Sequence, residues 1–529
     1  MKNTQRILII FLSVLIFGCD HDLDPTVFSS VTEETYEFSE EDLQSTIGTV
    51  YASMRPWWNH QHFYMAQELP GDAIVMPANP SGWDDGGIYR NLHLHNWNSL
   101  ERSIPNMWEG FYRGVFYSNR VIELIESGAL PISAGKEAIL SEMRVARAFF
   151  YWLIMDNFGN GPLVKSTSQD LPESATREEI YAFIVTEINE SLPNLNEEKN
   201  SLMYGRFNKW AAKILLANVY LNSEVYVGQP NWEECLVQTD DIINSGKYAL
   251  ETNYSDVFRT DNEGSPEIVF AIPFDENLGT GFYIQRWSWH NALAQKYELK
   301  ALPWGPGAAK GVTQFLNTYD SGDSRLESTW LGGQQFDFDG NLIMAEGVQL
   351  DFTKEIPNGR FTASNEGYRV NKFEVKQGSL ANLSNDFPFF RYAEVLMIKA
   401  EALLRLGRTD EAAELVTQVR QRAFKDEPQQ ATVTGNELTQ DSGYDYGYVE
   451  DYEITDEGDT SPVAYGRFLD ELGWEFAWEA HRRRDMIRFG IFSTKSWLSH
   501  KPNGDHHNVF PIPQTALNAN PNLSQNPGY

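Results

Sequence analysis

The sequence predicts a mostly α fold, in which helix pairs form a scaffold that carries long irregular loops and a few short strands. Three observations predict it. Apolar residues recur at helical spacing in segments spread from residue 104 to residue 489. Two late segments are joined by a Gly407-Arg408 turn, with small alanines on their facing sides. Between the helical segments, Gly/Pro/Asn/Asp-rich stretches at 65–105, 254–388 and 426–462 are far longer than ordinary connections, and loops of that length carry function or are disordered.

The N-terminus reads as a leader. Lys2 and Arg6 precede an apolar run at 7–17, whose 11 residues are too few for the roughly 20 of a membrane-spanning helix. The run ends Gly18-Cys19, which resembles a bacterial lipobox; on that reading Cys19 becomes the lipid-bearing N-terminus. The alternative, a general secretory signal that happens to hold a cysteine, is disfavoured because Cys19 closes the apolar run and no A-x-A site follows. The expected organisation is a signal peptide at 1–18, a polar lipidated tether at 19–39 and a single domain at 40–529. Removing Lys2 and Arg6 takes the net charge from −32 to −34, which argues against nucleic acid and against anionic ligands drawn in by long-range attraction. Only Cys235 remains beyond Cys19, so no intramolecular disulfide forms and stability comes from the core.

Each helix has its own justification. An amphipathic run at 40–54 opens the domain. The segment 104–127 carries Phe111, Val115, Phe116, Val121, Ile122 and Ile125 at helical spacing, and 134–158 repeats the pattern through Ile139, Met143, Ala146, Phe149, Phe150 and Leu153. Helices follow at 176–192 and 207–222, the second with a face of Ala211, Ala212, Leu215, Leu216 and Val219. Asn231 caps a shorter helix that runs to 245 and stops at Gly246. The segment 391–406 stops at Gly407, and Thr409 caps 410–423, whose first turn is acidic as the helix dipole favours. The last helix is expected at 469–489. The run 267–273 (EIVFAIP) is strand-like, and the acidic, tyrosine-bearing stretch 441–459 is expected as a surface flap. The pair around Gly407 looks like a tetratricopeptide unit of roughly 34 residues. Such units are too far apart here for a tandem solenoid.

Four stretches carry a wider resemblance. FPFFRYAEVL at 387–396, continuing through Ala400-Glu401-Ala402 to VRQRA at 419–423, is one. EFAWE at 475–479 leading to RRRDMIRFG at 482–490 is the second, NPNLSQNPGY at 520–529 the third, and the lipobox the fourth. Together they resemble the SusD/RagB family. That resemblance implies four tetratricopeptide-like helix pairs and a non-enzymatic, lipid-anchored protein exposed at the outer membrane. It also implies a SusC-like TonB-dependent transporter as partner, to which captured oligosaccharide is delivered. Within the lineage the resemblance implies, the run Asp20-His21-Asp22-Leu23-Asp24 resembles the surface-export signal of Bacteroidota lipoproteins; in other Gram-negative bacteria Asp after the cysteine means inner-membrane retention.

Sugar binding needs flat aromatic rings against the sugar faces and polar groups that replace water one for one. Six of the 15 tryptophans fall in predicted helices, where they are read as core: Trp108, Trp152, Trp210, Trp232, Trp474 and Trp478. Nine fall in loops or strand-like segments. Of these, Trp83 sits beside Asp84 and Asp85 in a glycine-rich turn. Trp287 and Trp289 share one side if their segment is extended, and Trp304 follows in a Pro-Gly loop. Trp83, Trp287, Trp289 and Trp304 are the expected platform, with Asp84 or Asp85 bonding sugar hydroxyls; Trp57, Trp58 and Trp330 are next. The glycan stays open among fructans, β-glucans and other neutral plant or algal polymers.

A surface glycoside hydrolase and a protein-interaction scaffold are the alternatives. Asp84 with Asp85, adjacent in sequence, are ill placed to flank one glycosidic bond, and Glu475 with Glu479 lie on one predicted helix face beside Arg483, as in an ion-pair network. No enzyme is therefore expected. His60-x-His62, His93-x-His95 and His506-His507 lack a third ligand at recognisable spacing and are read as loop or surface histidines. Asp261-Asn262-Glu263 and Asp337-Phe338-Asp339-Gly340-Asn341 are calcium-like without a full ligand loop, so no cofactor is expected, though a structural calcium ion stays open. No P-loop, dinucleotide fingerprint or G-x-S-x-G is present. A Cys19→Ala variant is expected to leave the membrane fraction, read by blotting after fractionation; firm retention of the variant without a partner present would overturn the anchor.

Overall fold

A computed structural model describes residues 36–79, 83–168 and 170–529. The leader, Cys19 and the start of the tether lie outside the described residues, as do Ser81 and Gly82 beside Trp83. Among the described residues, no helix is long and apolar enough to cross a membrane.

The helices form where the apolar spacing places them. They are α1 (Leu43–Ala52), α2 (Ser103–Glu126), α3 (Lys136–Phe158), α4 (Arg177–Ser191), α5 (Lys209–Leu221), α6 (Trp232–Asn244), α7 (Tyr392–Arg405) and α8 (Thr409–Arg420). α2 packs on α3, α3 on α4, α5 on α6 and α7 on α8, and α7 also lies against α6. Local chemistry sets the ends. Thr176 and Glu179 exchange side-chain bonds with each other's backbone N–H and open α4. Asn208 accepts from the N–H groups of Trp210 and Ala211 and opens α5. Two expected caps differ. Asn231 stands at the start of α6 but donates its amide to the Tyr181 hydroxyl at 2.7 Å instead. Thr409 is already the first helical residue of α8, with Arg408 in the cap position.

Interhelical packing is close. An atom added at Gly114 of α2 would stand 2.1 Å from the Phe150 ring of α3, so only glycine lets these helices approach. Arg147 of α3 pairs with Glu187 of α4 and donates to Asn119 of α2 at 2.8 Å, fastening three helices through one guanidinium. Asn218 of α5 donates to Glu394 of α7 at 2.9 Å.

Two fully buried strands, β1 (Ile268–Ile272) and β2 (Phe387–Arg391), pair antiparallel, with Phe387 opposite Ile272 and Arg391 opposite Ile268. β1 lies where the sequence is strand-like. β2 runs directly into α7, so the pairing fixes where Arg391 enters the interior. The flap holds a hairpin, β3 (Gly447–Glu450) and β4 (Glu453–Asp456), and β3 also pairs in parallel with Trp497–Leu498.

The late helix is not continuous. α9 (Gly466–Phe476) and α10 (Arg482–Arg488) are separated by a reversal in which Trp478 and Ala480 have positive φ, 67° and 64°. Glu475 and Glu479 therefore do not share a helix face with Arg483, whose guanidinium lies over the Phe510 ring. They do form an ion network, but with distant partners. Arg391 reaches Glu267 at 2.8 Å, Glu475 at 2.7 Å and Glu479 at 2.6 Å. Lys372 meets Glu479, Arg325 meets Glu475 and Asp323, and Arg422 joins Glu475 to Glu267. All are buried. Burial opposes the Glu475 charge, but the guanidiniums of Arg422, Arg391 and Arg325 outweigh it and hold its carboxyl well below the ordinary range.

The histidines also depart from expectation. His62, His93, His95 and His507 are buried rather than at the surface. His95 stacks on Phe492 with centroids 4.2 Å apart and meets His500 at 4.0 Å, so these rings serve as aromatic packing. At the calcium-like stretches, Asp337 accepts from the Asn341 backbone within its own turn, and the Asn262 amide donates to Val257 and Asp386 carbonyls. Among the described residues, no three His, Cys, Asp or Glu side chains gather so as to hold a metal ion.

Glu475→Gln removes one charge from this buried network and is expected to cost about 3–5 kcal/mol, seen as a lower thermal midpoint. Because the folded Glu475 carboxyl is depressed from its ordinary 4.5, its share of stability is fully present above that pH and drains away as the medium acidifies below it. A variant as stable as the parent at pH 7 would show that the network is dispensable.

Candidate functional site

Three loop segments meet in a surface cleft of about 340 Å³, within the usual range for small-molecule sites. They supply His60 and Gln61 from the turn after the 3-10 segment Arg55–Trp58, then Met76, Asn79, Trp83 and Asp85, and the fold-back from Trp287 to Ala308.

The fold-back begins with one helical turn, Ile284–Ser288, that buries Trp287 against Tyr64 and Trp478. The Pro303–Gly307 loop then returns over it. The Trp304 N–H donates to the Arg286 carbonyl at 2.5 Å, the Asn291 N–H to Gly305 at 2.8 Å, and the Ala308 N–H to Trp287 at 2.9 Å. Gly307 has φ +76°, and an added side-chain carbon would stand 2.3 Å from the Ser288 carbonyl oxygen, so the loop lies directly on the turn. Trp304 is thereby lifted to the rim, 41% exposed. His60 meets its ring at 5.0 Å, Tyr283 at 5.8 Å, and the Arg286 guanidinium lies 5.0 Å above its centroid.

Trp83 forms the facing wall, half-buried and stacked on Tyr89 with centroids 5.5 Å apart. Asp85, Gly86 and Gly87 all have positive φ, which turns the chain sharply beside it. The Asp85 carboxylate accepts from the Gln61 amide at 2.8 Å and the Tyr89 hydroxyl at 3.1 Å, while Arg102 donates to the Gln61 amide oxygen at 2.8 Å. The amide is thus held with its nitrogen toward Asp85. Burial pushes the His60 pKa down to about 4, so its imidazole is neutral at physiological pH, and its Nδ1 has no hydrogen-bond partner.

Four of the six expected binding residues come together here: Trp83, Asp85, Trp287 and Trp304. Asp84 does not line the cleft; it pairs with Arg90 at 2.8 Å. Trp289 corrects the expected platform. Its segment is a helical turn rather than a strand, so the alternation that would set it beside Trp287 does not apply. Its ring is 2% exposed, stacks on Tyr297 and donates Nε1–H to the Val370 carbonyl at 2.6 Å. Trp287 is equally buried and contributes only to the cleft floor. Trp57, Trp58, Trp97, Trp330 and Trp497 are buried too, so of the nine tryptophans expected in loops only Trp83 and Trp304 present much ring surface. His60, Gln61, Met76, Asn79 and Ala308 are lining residues missed from sequence. The available signal for the first two was their position, polar residues directly behind the Trp57-Trp58 pair.

Residues 221–529 match the family model described as "SusD family", and residues 23–221 match one described as "Starch-binding associating with outer membrane". The chain is 28% identical to the starch-binding protein SusD of Bacteroides thetaiotaomicron, over 74% of this chain and 72% of that one. Its fold is similar to the surface glycan-binding protein A of Bacteroides thetaiotaomicron, solved in complex with laminarihexaose, with a TM-score of 0.69 at 17% identity over 92% of this chain and 99% of that one. It is also similar to NanU of B. fragilis, with a TM-score of 0.72 at 21% identity over 96% and 100% of the two chains.

The two exposures separate packing from contact. Trp287→Ala is expected to destabilise the protein by about 3–5 kcal/mol, and Trp304→Ala by no more than about 1 kcal/mol. Thermal or urea denaturation reads both, and equal losses would contradict this division.

Proposed function

We propose, from the premise that this chain belongs to the SusD family, that it captures neutral oligosaccharide at the cell surface and delivers it to a SusC-like TonB-dependent transporter. The observation that carries the reading is the pair of ring-bearing walls, Trp83 on Tyr89 and Trp304 beneath Arg286, facing one cleft. Flat rings suit the C–H faces of sugars. Between them Asp85 accepts from hydroxyls and the Gln61 amide is pre-oriented. Each side chain is held before a ligand arrives, which lowers the ordering cost of binding.

The family match implies association with the outer membrane. The Cys19 anchor, the transporter partner and the single-domain organisation at 40–529 belong to the same reading. The relatives that bind starch and laminarihexaose support a glycan ligand. The hydrolase reading is weaker. Among the described residues that line the cleft, Asp85 is the one carboxylate, and hydrolysis of a glycosidic bond takes two flanking acids in most enzymes of that kind.

Affinity electrophoresis in gels containing starch, laminarin or a fructan identifies the polymer, and calorimetry then measures variants against it. Trp83→Ala and Trp304→Ala are each expected to weaken binding about tenfold or more, and the double variant about a hundredfold or more, which takes a micromolar affinity to about 0.1 mM or weaker. A neutral ligand makes binding nearly indifferent to added salt. With His60 neutral above about 4, affinity stays level from pH 5.5 to 8. Folded Trp83→Ala and Trp304→Ala variants that bind normally would refute the site, and release of shortened sugars would restore the hydrolase.

A further inference from the structure

A second recess of about 260 Å³ lies at the tip of the acidic flap, lined by Tyr452 together with Thr313, Asn317, Glu355, Asp445 and Glu453. Tyr452 is unusual in three respects. It occupies the turn between β3 and β4 with φ +70°, directly after Asp451 at +51°. This is the doubly left-handed turn that favours Asn-Gly, and a bulky aromatic there is strained. The residue is 53% exposed. Its hydroxyl donates to Glu366 at 2.6 Å and its N–H to the Pro357 carbonyl, so the strained turn is docked on the 357–366 loop. The bond to Glu366, with burial and the same carboxylate's charge, raises the phenol to about 12, and it stays neutral. A glycine would make the turn without strain. What tyrosine adds is a ring pinned at its hydroxyl, with exposed surface beside a recess.

The geometry points to a second sugar-binding site at Tyr452, taking a neutral pyranose or furanose unit of the same polymer that the Trp83–Trp304 cleft holds; in this it rests on the proposed function. Three carboxylates and the amides of Gln314 and Asn317 around an exposed aromatic residue provide acceptors for sugar hydroxyls. The absence of any Lys or Arg from the lining disfavours acidic sugars. The flap is joined to the first cleft through the same loop. Arg360 donates to the Tyr448 hydroxyl of β3 at 2.6 Å, and the residues either side of Phe361 exchange backbone bonds with Ala78, next to cleft-lining Asn79. Two sites on one connected surface would engage one long chain twice, and the gain comes from effective concentration without new contacts at the first.

The test compares Tyr452→Gly, which relieves the turn and removes the ring, with Tyr452→Phe, which keeps the ring and removes the Glu366 bond. The probes are starch, laminarin and a fructan, each as polymer and as hexasaccharide, taking forward whichever polymer retards the parent protein most. Tyr452→Gly is expected to bind that polymer at least tenfold more weakly and its hexasaccharide unchanged, while Tyr452→Phe keeps polymer affinity within about twofold. Trp304→Ala weakens both lengths. Tyr452→Gly with parental polymer affinity overturns this site and leaves the cleft standing. Equal losses in the Gly and Phe variants would mean that only the tie to Glu366 matters, and this also overturns it. So does a Tyr452-dependent share of binding that collapses in 0.5 M salt, which would mean a cationic group. A parent protein that none of these gels retards overturns the cleft reading and this one together.

Discussion

The carboxylates of Glu475 and Glu479 lie in the interior, and the late half of the chain is arranged so that their cations converge on them. Arg391 comes from the end of β2, Arg422 from just beyond α8, Arg325 from a short helix and Lys372 from an irregular loop, while Glu267 precedes β1. Withdrawing so many charges from water costs nearly what their attraction returns, so the network adds little net stability. What it supplies is direction. A guanidinium satisfied by three carboxylates has one placement, whereas an apolar plug of the same volume accepts many. In a chain whose one described cysteine, Cys235, is free and buried, this network fastens loop to helix as a disulfide does elsewhere.

The helical scaffold was legible because its signals are local. Apolar spacing located α2 through α8 to within a few residues, and glycines at positive φ ended them where Gly246 and Gly407 stand. The break between α9 and α10 was not legible. Residues 475–489 contain neither Gly nor Pro, and the reversal at Trp478 and Ala480 is imposed by distant partners: Glu68 accepts from the Ala480 N–H, and Tyr64 donates to the Trp478 carbonyl. The buried histidines escaped for the same reason, since a ring that packs on Phe492 carries no mark of it in its neighbours along the chain.

The cleft was partly legible. Composition pointed to loop tryptophans, and Trp83 with Trp304 are the two that keep much ring surface. The rest went wrong where strand alternation was assumed for a segment that forms a helical turn, which sends Trp289 inward against Tyr297. For His60 and Gln61 the sequence offered only their position behind the Trp57-Trp58 pair; what fixes the role of Gln61 is a three-dimensional chain of bonds from Arg102 through Gln61 to Asp85.

The contact between Gly307 and the Ser288 carbonyl has a consequence for how such a protein diversifies. The base of the Trp304 loop is clamped to the turn beneath it by backbone bonds and by the Ser288 hydroxyl, which donates to the Ala309 carbonyl at 3.0 Å, so the clamp does not depend on the side chains displayed at residues 302 and 304. Residues 302, 304 and 305 project outward while 307–309 stay fixed. The rim is therefore an exchangeable reading head on a constant mount. A lineage meeting a new polymer can retune the ring at this position without renegotiating the packing of Trp287, and the cost of exploring specificity is kept apart from the cost of folding.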